Sequence, residues 1–176
     1  MNLGCGNKIY PDTETDQWIN VDIVDPPAPN GNGTFVQSDL RDLSVFPDNY
    51  ADHIFTSHVV EHIPVYDLDV TMKEWLRVLK PGGTIAFEMP DLVKCCINYL
   101  QLVTSGDPKM INRMGIYGFY GEQFPDAPYM IHRWGWTFKT LAPFLQELGL
   151  VDIKETTPVT HMGPVRDFRI EATKPL

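Results

Sequence analysis

Apolar positions along the chain follow two different periods. Short runs at Met1–Gly4, Trp18–Ile23, Thr34–Gln37, Asp52–Ser57 and Thr84–Met89 read as strands, most of them bounded by turn residues. Two more, Val151–Thr156 and Asp167–Thr173, close the chain. Between the fourth and fifth runs, Leu68, Met72, Trp75, Leu76 and Leu79 repeat at helical spacing. They predict a helix over Tyr66–Lys80 that stops at Lys80-Pro81-Gly82-Gly83. Asp91 is placed to cap a second helix reaching about Val103. A third is expected from about Thr140 to Leu148, with Pro143 fitting only near its first turn and Gly149 closing it. Strands alternating with helices imply a parallel α/β sheet. Asp25–Gly33, rich in Pro, Asn and Gly, reads as a surface loop.

The 176 residues suit one domain, 1–176, with a substantial core. No apolar run approaches the ~20 residues that span a bilayer, and no basic-then-apolar leader opens the chain, so no membrane partner is expected. A net charge of −9 argues against binding a phosphate backbone, and nucleic acid is not an expected partner. The three cysteines are an odd count with Cys95 and Cys96 adjacent, which argues against a disulfide framework and for a reduced, cytoplasmic protein. On their helix, Cys95 and Cys96 read as core thiols.

The chemistry concentrates at the ends of the early strands. The first ends in two glycines one residue apart, Gly4-Cys5-Gly6, where the backbone can bend sharply and approach a ligand. The second ends in Asp22, whose carboxylate can accept both hydroxyls of a ribose. Only 15 residues separate Gly6 from Asp22, and they include Pro11, leaving room for a short helix at most. Ser38-Asp39-Leu40 follows the third strand, and Ser57-His58 the fourth. Each acid also fits a humbler role as a turn former or helix cap. His53, His58, Glu61 and His62 invite a metal reading, but no further Cys or His pair at ligand spacing supports one, and none is expected. His53 falls within a strand and reads as structural.

In order and spacing, Met1 to about Pro90 resembles the class I, Rossmann-like S-adenosylmethionine-dependent methyltransferases of small-molecule type. The family's acid-x-Gly-x-Gly-x-Gly loop appears as Asn2-Leu3-Gly4-Cys5-Gly6-Asn7-Lys8, with Asn2 for the acid and Lys8 for the third glycine. Phe46 to His62 resembles the fourth strand and the loop beneath the transferred methyl group. Glu74 to Gly83 resembles the helix and turn before the fifth strand. The resemblance implies a three-layer sandwich around a seven-stranded, mostly parallel sheet in the order 3-2-1-4-5-7-6. Its last strand is antiparallel, and the N-terminal helices many members carry are lacking.

For function, the resemblance implies S-adenosylmethionine as cofactor, S-adenosylhomocysteine as product and a small-molecule acceptor. The cofactor-binding set it implies is Asn2, Leu3, Gly4, Cys5, Gly6, Asp22, Ile23, Asp39, Leu40, Ser57 and His58. Catalytic candidates are His62, His132 and His58, placed to serve as a base if the acceptor is a hydroxyl. Residues 105–136 form an expected lid or substrate insertion. Within it, Tyr117–Trp136 carries three tyrosines, two tryptophans and two phenylalanines, and reads equally as a satellite core. Two rival functions stay open: a cofactor-binding protein without turnover, and a nucleotide-sugar enzyme using the same strand ends. Acceptor and oligomeric state are not legible.

Overall fold

The computed structural model describes residues 1–24 and 33–176, so most of the expected Asp25–Gly33 loop lies outside the described residues. Seven strands form one sheet in the order β3-β2-β1-β4-β5-β7-β6, as the resemblance implied. They are β1 (Asn2–Leu3), β2 (Ile19–Asp22), β3 (Thr34–Gln37), β4 (Ala51–Ser57), β5 (Leu79–Pro90), β6 (Val151–Thr156) and β7 (Asp167–Thr173). The first five pair in parallel, and β7 runs antiparallel between β5 and β6. Central β1 is only two residues long, yet Leu3 is fully buried between Val21 and Thr56 in register. All parallel strands therefore end along one edge, where their connecting loops gather.

Helices α1 (Val65–Val78), α2 (Leu92–Ser105), α3 (Pro108–Ile111), α4 (Tyr117–Tyr120) and α5 (Phe138–Glu147) complete the layers. Helix α1 ends two residues earlier than its apolar spacing predicts. Lys80 precedes Pro81, which disfavours helical backbone there, and Leu79 instead pairs with Ala51 as β5 begins. The Pro81-Gly82-Gly83 segment is thus a bulge within β5, not a turn before it. In α2, Asp91 Oδ1 accepts from the amides of Val93 and Lys94, and Gly106 at φ 82° terminates the helix. Helix α5 starts earlier than expected because Thr137 and Thr140 cap each other reciprocally. Pro143 consequently sits in the second turn, where its ring removes one helical hydrogen bond. Residues 7–18, between β1 and β2, contain no helix.

Helix α1 shows how the core is closed. Trp75 is wholly buried, stacks on Phe87 at 6.4 Å, and satisfies its indole by donating to the Leu40 carbonyl at 2.7 Å. Arg77, one face round, donates to the Phe46 and Leu43 carbonyls and so holds the β3–β4 connection against the helix. Of the cysteines, Cys95 is a core thiol as expected, but Cys96 is exposed on the outer face of α2. No helix among the described residues is long and apolar enough to cross a membrane.

Trp75→Ala removes the largest buried side chain and leaves the Leu40 carbonyl without its partner. It should cost roughly 3–5 kcal/mol, read as a lowered denaturation midpoint in urea.

Candidate active site

The carboxyl edge begins where β1 leaves the sheet. Gly4 takes φ 71°, and a Cβ there would lie 2.1 Å from Val59 Cγ2, so both backbone and space require glycine. Its amide donates to the Val21 carbonyl at 2.8 Å. Gly6, at φ 49°, has nothing within 4 Å of a would-be Cβ, which leaves its face of the loop open. Its amide donates to Asp22 Oδ2 at 2.8 Å, while Asp22 Oδ1 accepts from Val24 at 3.1 Å. Asp22 is therefore a loop fastener, yet each carboxylate oxygen retains acceptor capacity. Asn2 is buried and donates to the Lys8 carbonyl and Asn20 Oδ1, bracing the glycine loop from behind. Leu3 is core, and Cys5 is a buried thiol pushed up to about 12 by burial and by the charge of Asp22.

Further along the edge, Asp39 is gripped by Arg41 at 2.6 Å, which holds its carboxyl below the usual range. Leu40 packs on the core, and Ile23 is half exposed. Ser57 pairs with the Thr160 hydroxyl at 2.7 Å. His58 follows in the left-handed region, at φ 57°, fixed by its amide's bond to the Glu88 carbonyl. His53 is buried enough to lower its pKa and pairs with Thr84 within the sheet, a structural position.

The densest chemistry surrounds the 3-10 turn Val60–His62. Glu61, 2% exposed, lies 3.0 Å from His58 Nδ1 and 3.9 Å from His132 Nε2. The His58 N–H is not aimed along that short contact, and neither Glu61 oxygen accepts a hydrogen bond among the described residues. Burial opposes its charge, but the contact and charge of His58, with His62 and His132 beyond, outweigh burial and hold its pKa near 2. His58 Nε2 faces buried Asp167 at 3.3 Å, and Asp167 is gripped by Arg166 at 2.6 Å. Burial disfavours charge on His58 too, yet Asp167 and Glu61 prevail and lift it to about 9. Nε2 is thus protonated toward Asp167, with the Arg166 guanidinium merely adjacent at 3.4 Å.

His62 and His132 meet edge to face at 4.7 Å between ring centres. Each holds its Nδ1 against a backbone carbonyl: Ile131 for His62 at 3.2 Å, Gly118 for His132 at 3.0 Å. The 105–136 segment divides in two. Its first part packs back on α2, with Gly115 against Tyr99 and Gly118 against Cys95. Its second part is pinned over the edge by the amides of Arg133 and Trp134, both donating to the Glu61 carbonyl.

Residues 1–87 match the family model described as a methyltransferase domain. That match spans the glycine loop and β1 to β4, and the chain as a whole has the class I methyltransferase fold. Solved structures agree on the fold. An S-adenosylmethionine-dependent methyltransferase from Archaeoglobus fulgidus superposes with a TM-score of 0.63 at 20% identity, over 98% of this chain and 84% of that one. One from Methanosarcina mazei gives 0.60 at 19% identity, over 99% and 91%. The 1,6-didemethyltoxoflavin-N1-methyltransferase of Burkholderia thailandensis, solved with 1,6-didemethyltoxoflavin and S-adenosylhomocysteine bound, gives 0.57 at 13% identity, over 90% and 61%. A search of curated proteins finds no match.

Several residues of this methyltransferase edge escape sequence reasoning. Asp167, Arg166 and His161 reach His58 from more than 100 positions away, so no local spacing announces them. Glu61 has a detectable sign, an acid flanked by histidines at 58 and 62, but its partner His132 is 71 positions distant.

Gly4→Ala should destabilise the domain severely, because strain at positive φ adds to the overlap with Val59. Gly6→Ala meets only the strain, roughly 1 kcal/mol. Thermal melts of the two variants should rank them in that order, and Val59→Ala should partly restore Gly4→Ala.

Proposed function

We propose that the chain transfers a methyl group from S-adenosylmethionine to a small-molecule acceptor, the whole reaction running on the carboxyl edge of the sheet. The observation carrying this reading is the open glycine turn fastened to Asp22, inside a domain of the methyltransferase fold. When bound, the cofactor supplies a methyl carbon on a sulfonium: the acceptor's lone pair forms the new bond as the carbon–sulfur bond breaks, releasing S-adenosylhomocysteine.

The chain's residues fit that cofactor. Gly4, Cys5 and Gly6 let the backbone lie against it, and the spare lone pairs of Asp22 suit two ribose hydroxyls. Asp39 and Leu40 flank the adenine, with Asp39 shared with Arg41. Leu3 and Asn2 act from behind by holding the loop's shape, while Ile23 offers exposed apolar surface beside Asp22. Ser57 and His58 close the methionyl end.

Catalysis then rests mainly on alignment and exclusion of water. Residues 121–136, pinned to Glu61, form a wall over the acceptor side. His58, held charged between Glu61 and Asp167, orients neighbours and does not accept a proton at neutral pH. His62 and His132 remain to receive the proton of a hydroxyl acceptor. The bound acceptors of the structural relatives, 1,6-didemethyltoxoflavin among them, support the small-molecule class. Three free thiols suit a cytoplasmic setting.

Calorimetric titration with S-adenosylhomocysteine and with NAD tests the reading. The nucleoside thioether should bind more tightly, and tighter NAD binding would refute methyl transfer. Asp22→Ala should weaken S-adenosylhomocysteine by about 1.5–3 kcal/mol, the value of hydrogen bonds to a charged group. Unchanged affinity would reduce Asp22 to a turn residue. With an acceptor in hand, His62→Ala and His132→Ala should lower turnover more than cofactor affinity, whereas His53→Ala should lower only the melting temperature.

A further inference from the structure

Three side chains at the edge of the site form an arrangement that methyl transfer by alignment alone does not require. The ligating atoms of Glu61, His62 and His132 all lie within 4.8 Å of one another. We propose that these three residues bind a divalent first-row transition metal ion of the zinc or cobalt type, and that the ion holds an oxygen of the acceptor. The ion's role toward an acceptor rests on the methyl-transfer reading; the metal site itself does not.

Two independent observations converge on this site. The first is Glu61, 2% exposed and with neither oxygen accepting a hydrogen bond among the described residues. A buried carboxylate normally collects donors, because leaving it unmade costs the full desolvation penalty. His58 faces Glu61 at 3.0 Å without a formed hydrogen bond and His132 lies 3.9 Å away, so the carboxylate keeps lone pairs for an ion beside His62 and His132. The second is the orientation of the two rings. His62 and His132 each present Nδ1 to a backbone carbonyl, the Ile131 and Gly118 oxygens. A proton on Nδ1 donates to that carbonyl and leaves Nε2 bare. That is the tautomer a metal takes, fixed by the outer hydrogen bond that orients ligating histidines.

The donor set selects the ion. Two imidazole nitrogens and one carboxylate oxygen suit zinc, cobalt and similar ions, whereas magnesium and calcium favour all-oxygen surroundings. Three protein ligands leave at least one position for water or substrate. Zinc bonds of about 2.0–2.2 Å place tetrahedral ligand atoms roughly 3.5 Å apart, so the widest pair must draw in by about 1 Å. Rotation of His62, which is only partly buried, is the natural route. With the ion in place both Nε2 atoms are occupied, so His62 and His132 act as ligands and not as bases. A bound acceptor hydroxyl gives its proton to water, and its oxygen is held for attack on the methyl carbon. The tie from the Arg133 and Trp134 amides to the Glu61 carbonyl keeps His132 over the site.

The test uses the untagged whole chain, stripped with chelator and titrated with cobalt(II), zinc(II) and magnesium(II). The expected result is one equivalent of cobalt with visible absorption bands, displaced by zinc, and no binding of magnesium. Glu61→Gln and His132→Ala should each weaken cobalt at least tenfold. His62→Ala, on the more exposed side, should do the same while folding normally, and His53→Ala should bind as the unaltered chain does. Failure of the unaltered protein to take one equivalent of cobalt or zinc overturns the proposal. So does cobalt binding that survives His62→Ala and His132→Ala combined. Titration of the same samples with S-adenosylhomocysteine separates the two ideas. Cobalt binding without S-adenosylhomocysteine binding upholds the metal site and refutes methyl transfer, and the reverse pattern refutes the metal site alone.

Discussion

An ionised carboxylate enclosed by protein must be compensated, and the carboxyl edge is organised around doing so for Glu61. Its charge is met by His58 on one side and faced by His132 on the other. His58 is in turn answered by Asp167, and Asp167 by Arg166, so alternating charges run inward from the loop after β4 to the start of β7. The Glu61 backbone matters as much, since its carbonyl receives the two amides that bring the 121–136 segment across the edge. One residue thereby carries a buried charge and anchors that segment. Buried ionic chains of this kind contribute little net stability, because desolvation offsets much of the attraction. Their effect is to fix side-chain positions.

A second buried carboxylate network lies beside the first and does structural work. Glu88, inside β5, receives the Arg169 guanidinium at 2.7 Å and the amides of Val159 and Thr160 at 3.0 and 2.9 Å. The Thr160 hydroxyl bonds both Glu88 and Ser57, which joins the β6–β7 connection to the end of β4. Unlike Glu61, Glu88 has its oxygens fully engaged. Glu88 is thus a satisfied acid and Glu61 an unsatisfied one.

The fold was legible in the sequence because its cues are local. Short apolar runs marked all seven strands, and the caps at Asp91 and Gly149 marked helix ends close to where they occur. The misreadings have local causes as well. Lys80-Pro81-Gly82-Gly83 has the composition of a turn, yet the strand passes through it as a bulge because Ala51 and Lys174 offer pairing partners on either side. Cys96 looks like its neighbour in composition, and only helical phase turns it outward. The strand-end residues Gly4, Gly6, Asp22 and Asp39 were legible from order and spacing. What stayed hidden was three-dimensional closure: the meeting of Glu61 with His132, and of His58 with Asp167, is decided by how the last third of the chain folds back.

The helix-free connection between β1 and β2 has a consequence for what the glycine loop can attract. In dinucleotide sites the corresponding loop leads into a helix whose N-terminus carries about half a positive charge, and a pyrophosphate rests on it. Residues 7–18 supply no such terminus here. The Gly6 amide, one of the few outward-facing donors of the loop, is already turned to Asp22. The loop therefore offers shape without a helix dipole, next to an acid, and the cation it carries is the Lys8 side chain. A phosphate-bearing ligand forgoes the attraction that normally draws it in, while a ligand whose charge is cationic loses nothing by the missing dipole. The chain thus omits at this turn the half-charge that a helix terminus would provide.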